Sequence, residues 1–268
     1  MRALALSLFL ALPVGAFADP VTRVFDALKI NEVVDILAEE GRASAEELEE
    51  NMFPGRGGAA WQAEIARIYD VGSMEKTLAG AMTRALRDAD VLTMVDFLES
   101  ARGKKIMGLE ISARRAFIDP EMEDIAAETF ANAQQTRPVL YEQVQAFTEI
   151  NALVEQNLEG AFASNAAFAM GLKSSGAFPG ASADQLIAEL WSGDEAVEAD
   201  VRDWLFAYLM TAYAPLSEQD LAAYISFSET EPGAELNSAI MEGFGILFAE
   251  ISFDLGAAAG RFMGQQDL

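Results

Sequence analysis

Cysteine and histidine are both absent from the 268-residue chain. Without cysteine there is no disulfide to staple the fold and no thiolate nucleophile. Without histidine there is no Ser-His-Asp triad and no histidine-ligated zinc. Basic residues are scarce: 18 lysines and arginines stand against 43 aspartates and glutamates, for a net charge of −25. Such a field repels the phosphates of nucleic acids and of anionic lipids. Neither is therefore expected as a partner, and the charge favours solubility or a cationic partner. Alternation of β-branched residues is nearly missing, and no glycine-rich phosphate loop follows a strand. Beyond residue 18 the longest uncharged run, residues 204–217, is shorter than the roughly 20 residues a bilayer requires. No transmembrane segment is therefore expected in the mature chain. Carboxylates, serines, tyrosines and a few lysines remain for chemistry, and with 51% hydrophobic residues the chain can bury a core without staples.

The first residues carry an export pattern. Arg2 is a short positive region, "ALALSLFLALPVGA" is apolar, and "AFA" ending at Ala18 fits a cleavage site. Residues 1–18 are expected to be a signal peptide, with the mature chain starting at Asp19 in the bacterial periplasm or outside the cell.

Residues 19–268 read as helices throughout, an all-α chain rich in alanine, leucine, glutamate and methionine. Asp19-Pro20 starts the first helix. It is expected to break near Asn31 and close at Gly41 in a left-handed conformation. Ser44 with Glu47 forms a capping box for a short helix ending before "FPGRGG". Trp61, Ile65 and Ile68 mark one apolar face, and Met74, Leu78, Met82 and Leu86 the next. Asp90 and Asp119-Pro120 open further helices. In the second half Leu140, Val144, Phe147, Val154, Leu158 and Phe162 form a long stripe. Ser182 with Gln185 makes another capping box, Ser217 caps the helix holding Phe227, and Glu231-Pro232-Gly233 is read as a turn.

The halves resemble one another at an offset of 130. Gly41 aligns with Gly171, Trp61 with Trp191, Val71 with Val201 and Leu86 with Leu216. Asp90 aligns with Asp220, Phe97 with Phe227, Glu99 with Glu229 and Gly103 with Gly233. "FPG" also recurs, at Phe53 and Phe178. The pattern predicts two tandem, related multi-helix repeats, residues 19–137 and 138–268, packed together. Phe97 and Phe227 would plug the inner corners of helical hairpins, and Gly103 and Gly233 would let the helices approach closely. Glu99 and Glu229 are read as exposed helix ends rather than a catalytic pair.

"WLFAYLMTAYAPLSEQDLAAYISFSETEPGAEL" resembles the C-terminal domain of bacterial exported proteins grouped as domain-of-unknown-function family 2059. Ser217, Asp220, Leu221, Phe227 and Gly233 carry the likeness. Ser228 stands where the family pattern has a second aromatic, and Glu231-Pro232 approximates its turn. Residues 73–114 match more weakly, through Leu86, Asp90, Phe97 and Gly103. The resemblance implies a helical, exported protein and supplies no activity.

Three carboxylate clusters occur: Glu46, Glu47, Glu49 and Glu50 in what reads as a first helical turn; Glu121, Glu123 and Asp124; and Asp194, Glu195, Glu198, Asp200 and Asp203. None has calcium-loop spacing, and all read as solvated faces. No metal or other cofactor is expected. Trp61 and Trp191 read as core. Leu205 and Phe206 replace the Glu75 and Lys76 of the first half in a helix apolar nearly all round. They are therefore the candidate interface, against other helices of the chain or a second subunit. The sequence favours an exported, non-enzymatic binding or scaffolding protein, with a protein partner or a homo-oligomer. A carrier of a hydrophobic ligand between the halves is the alternative, and a carboxylate-dependent hydrolase is the third class. A deep Phe- and Met-lined pocket would mark the carrier, two convergent buried acids the hydrolase, and a filled core with an exposed apolar patch the binding protein.

Overall fold

The computed structural model describes residues 19–190 and 194–264, and every regular element in them is an α-helix. The expected signal peptide lies outside the described residues. Helix α1 (Pro20–Ala27) begins on Pro20, whose missing N–H costs nothing in the first turn. The chain then turns at Lys29, held left-handed at φ 55°, into α2 (Ile30–Met52). A turn with Gly55 at φ 70° and Gly58 at φ 52° leads to α3 (Gly58–Ile68). Side-chain caps start the next three helices. Asp70 accepts from the Ser73 N–H to open α4 (Val71–Ala85), Asp90 from the Thr93 N–H to open α5 (Val91–Leu98), and Ser100 from the Gly103 N–H to open α6 (Ala101–Ala116). Asp119 caps α7 (Pro120–Ala131), followed by the single turn α8 (Ala133–Thr136).

The later helices are α9 (Pro138–Ile150), α10 (Leu153–Ser174), α11 (Ala183–Leu190), α12 (Asp194–Tyr213), α13 (Glu218–Ser228) and α14 (Glu231–Gly264). The Ser182–Gln185 capping box forms in both directions at α11: the Ser182 N–H donates to Gln185 Oε1 at 2.8 Å, and the Gln185 N–H donates to Ser182 Oγ at 3.2 Å. Ser217 caps α13 by accepting from the Asp220 N–H.

Helix α14 is the axis of the molecule. It packs along α10 and α4 and touches α2, α3, α5 and α13. By length and composition alone α14 could cross a membrane, with an 18-residue window of mean hydropathy 1.3. In the fold it serves as a core helix, burying Leu236, Leu247, Ile251, Ala258 and Phe262. Near the N-terminal ends of the pair, the Asn237 amide donates to the Asn151 carbonyl at 3.1 Å. Near the C-terminal ends, Gly256 abuts Phe168 and Gly260 abuts Ser175, so α10 and α14 run parallel. Glycine permits the approach: a Cβ on Gly256 would sit 2.1 Å from the Phe168 carbonyl oxygen, and one on Gly171 would sit 2.1 Å from that of Phe253.

One core draws on residues 19–137 and 138–268 alike. Phe53 stacks on Phe262 at 5.5 Å, and Trp61 meets both edge-on. Trp61 is 0% exposed, and its indole N–H donates to the Ala45 carbonyl at 3.1 Å. Trp191 lies outside the described residues.

Two helix corners have the same atomic arrangement. The Ser100 hydroxyl donates to the Phe97 carbonyl at 2.6 Å and accepts from the Gly103 N–H at 3.0 Å. The Thr230 hydroxyl donates to the Phe227 carbonyl at 2.6 Å and accepts from the Gly233 N–H at 3.1 Å. In each corner a glycine Cβ would collide with the phenylalanine carbonyl. The two rings then stack face to face, 4.0 Å apart and 2° from parallel. Phe97 and Phe227 thus seal the two corners against each other.

Beyond the corners the two halves diverge. Asp90 is an N-cap, whereas Asp220 lies inside α13 and binds Arg102 and Lys105. Gly55 is left-handed and Gly180 is not. Helix α6 ends at Ala116 whereas α14 continues to Gly264.

Several local expectations need correction. Helix α2 runs unbroken through Gly41 and Ser44, so neither the left-handed cap nor the Ser44 capping box forms. Gly41 is required there because a Cβ would lie 2.0 Å from the Tyr69 ring. Glu46 to Glu50 consequently occupy the last turns of α2, where acids oppose the dipole. One of them, Glu49, accepts from the Gly57 N–H at 2.9 Å. Glu231-Pro232-Gly233 opens α14 instead of forming a separate turn.

Candidate functional site

Among the described residues the most perturbed acid is Glu110, on α6. Its i−4 and i−3 neighbours, Ile106 and Met107, are buried, so the helical period turns Glu110 toward α12 and α13. Three of the chain's five tyrosines meet it there. The Tyr213 hydroxyl donates to Glu110 Oε1 at 2.8 Å, and the Tyr224 hydroxyl bonds the same carboxyl. The Tyr208 hydroxyl donates to the Glu110 carbonyl at 3.0 Å. The residue as a whole is half-buried, but its carboxyl end is enclosed. Burial pushes that carboxyl up to about 7, against the pull of the Tyr213 and Tyr224 hydrogen bonds. Burial, then the Glu110 charge, raises the three phenols in turn. Glu110 can hold a proton, and it does not line the cleft between α7, α10 and α12.

The surface offers a different kind of site. A cleft of about 660 Å³ opens between α7, α10 and α12. Its apolar walls include Phe130 from α7, Ala161 from α10, and Trp204, Leu205 and Ala207 from α12. Its charged lining residues are Glu123, Asp200 and Asp203, all acids. The clefts lined by Arg67, by Arg137 and by Arg202 each mix both signs. Two nearby arginines are engaged elsewhere. Arg114 pairs with Glu40 and lies 5.4 Å from the Trp204 ring centroid, and Arg202 pairs with Glu198 at 2.6 Å. Among the described residues no three acids converge closely enough to hold a metal ion, so the acids of this cleft are spread around it.

The sequence named all three acids but in two separate clusters, each read as a solvated face. Only folding brings α7 against α12 and gives them one cleft. Leu205 and Phe206 are each 7% exposed, buried within the single chain. Phe206 packs its ring on Phe130 at 5.5 Å and Tyr141 at 5.9 Å. Leu205 closes the floor of the acidic cleft. Their interface is therefore between helices of one chain. Glu99, at the end of α5, forms a bidentate pair with Arg23 at 3.0 and 2.6 Å, while Glu229 is an exposed C-cap. Glu110 was missed because it stands outside the acidic runs. Its signal was a lone acid among apolar residues in "KKIMGLEIS".

Comparison of the chain with protein-family models, curated proteins and solved structures gives no match.

Proposed function

We propose that the chain is an exported, non-enzymatic binding protein of the bacterial periplasm, with the cleft between α7, α10 and α12 as its binding site. The observation that carries this reading is the cleft itself: apolar walls of Phe130, Trp204 and Leu205, with charges of one sign. Its volume falls within the roughly 300–1,000 Å³ usual for ligand sites. The export pattern of residues 1–18 and the family resemblance of residues 204–236 belong to the same proposal.

The carrier reading draws less support. The cleft does lie where residues 19–137 meet residues 138–268, but three acids stand beside its apolar walls, which disfavours a purely hydrophobic ligand. The hydrolase reading needs two acids meeting in a cleft, and Glu110, the acid with an enclosed carboxyl among the described residues, is surrounded by phenols.

Native mass spectrometry of protein isolated from periplasm tests the proposal. The expected species begins at Asp19 and carries a small-molecule adduct that Ala161→Arg, which fills the cleft, abolishes. An adduct-free protein, or an adduct equally present on the variant, would overturn the assignment of the site.

A further inference from the structure

We infer that the cleft between α7, α10 and α12 takes a small organic cation: an apolar or aromatic body bearing an ammonium, phosphonium or amidinium group. This inference rests on the binding reading above and adds the chemistry of the ligand.

Charge is the first argument. Glu123, Asp200 and Asp203 line one cleft, and among the described residues none forms an ion pair or accepts a hydrogen bond from a side chain. Carboxylates spaced around an apolar cleft make its potential negative, and low-dielectric walls concentrate that field. A ligand that brings positive charge is drawn to it. An anionic ligand is repelled.

Spacing is the second argument. The acids come from two helices and do not converge as metal ligands do. A bare divalent ion needs several oxygens at about 2–2.6 Å. Charge spread over an organic group is satisfied by carboxylates at its periphery. Trp204, Phe130, Leu205 and Val201 then cover the body of the ligand. Arg114 already lies at the Trp204 ring, so the ligand's charge is directed to the carboxylates and its apolar part to the walls.

Size is the third. The α12 contribution runs from Asp200 to Ala207, about 10 Å at 1.5 Å per residue. A docked helix of three turns would need about 16 Å of trough. The space suits a small molecule better than an amphipathic helix.

Calorimetric titration of the full exported chain tests the inference with three probes. Tetraphenylphosphonium supplies an apolar body with positive charge, tetraphenylborate a nearly identical body with negative charge, and spermidine positive charge with little apolar body. The expected result is saturable one-to-one binding of tetraphenylphosphonium, no saturable binding of tetraphenylborate, and weaker binding of spermidine. Asp200→Asn with Asp203→Asn, both solvent-facing, is expected to weaken tetraphenylphosphonium at least tenfold while circular dichroism is unchanged. Equal binding of phosphonium and borate, absence of phosphonium saturation, or indifference to the double substitution would each overturn the inference. A neutral or anionic adduct that Ala161→Arg removes would overturn the cation chemistry while leaving the binding site in place. Absence of both the adduct and probe binding from the unsubstituted chain would remove the two readings together.

Discussion

A glutamate enclosed by tyrosine hydroxyls binds its proton more tightly in the folded chain than in the unfolded one. For Glu110 the folded value is about 7 against an ordinary 4.5. Below about pH 4.5 both states hold the proton and the stabilisation is fully present. Between 4.5 and 7 the unfolded chain has released its proton while the folded chain keeps it, so stability falls as pH rises, and above 7 this contribution is flat. The total is of order 3 kcal/mol. The groups facing the carboxyl are Tyr213 from α12 and Tyr224 from α13, while Tyr208 bonds the Glu110 backbone carbonyl. Glu110→Gln keeps an acceptor for the phenols and removes the titration. Urea denaturation is expected to show wild type losing stability relative to Glu110→Gln between pH 4.5 and 7.5, by roughly that amount. Parallel pH profiles for the two proteins would mean that the carboxyl is solvated.

The spacing of helices α10 and α14 depends on residues without side chains. Gly256 and Gly171 each face a backbone carbonyl of the partner helix, and backbone cannot rotate away as a side chain can. Gly256→Ala is expected to cost about 1–3 kcal/mol, the usual range for overpacking, seen as a lowered Tm. Gly245→Ala, on the same helix with open space around it, is expected to be tolerated. Helix α12 makes the matching test for its buried pair. Leu205→Glu with Phe206→Lys is expected to unfold or strongly destabilise the chain, read by thermal denaturation. A stable, fully folded product with a changed oligomeric state would place the pair at a subunit contact instead. Much at this scale was legible: Asp90, Asp119 and Ser217 all cap, and Ser182 with Gln185 forms its box, because capping is local chemistry. The continuity of α2 was not. Gly41 looks like a terminator in sequence, but its glycine is explained by Tyr69, which arrives from a later helix end.

At the scale of the whole molecule, a net charge of −25 comes with few basic residues, and eight of them are held in ion pairs among the described residues. The sequence showed the charge, which favours solubility or a cationic partner. It could not show where the charge meets an apolar wall, because Glu123 reaches Asp200 and Asp203 only through the packing of α7 on α12. The fold class follows from composition and periodicity, whereas this cleft follows from tertiary contacts between three helices. The central claim is that the cleft, rather than the Glu110 cage or the groove by Arg67, is where this protein binds. Amide chemical-shift mapping during titration with tetraphenylphosphonium tests it most directly. The account predicts the largest shifts at residues 127–131, 157–161 and 200–207, which surround the cleft. Largest shifts at residues 67–77 and 247–254, around the groove that holds the Arg67–Asp254 pair, would contradict it.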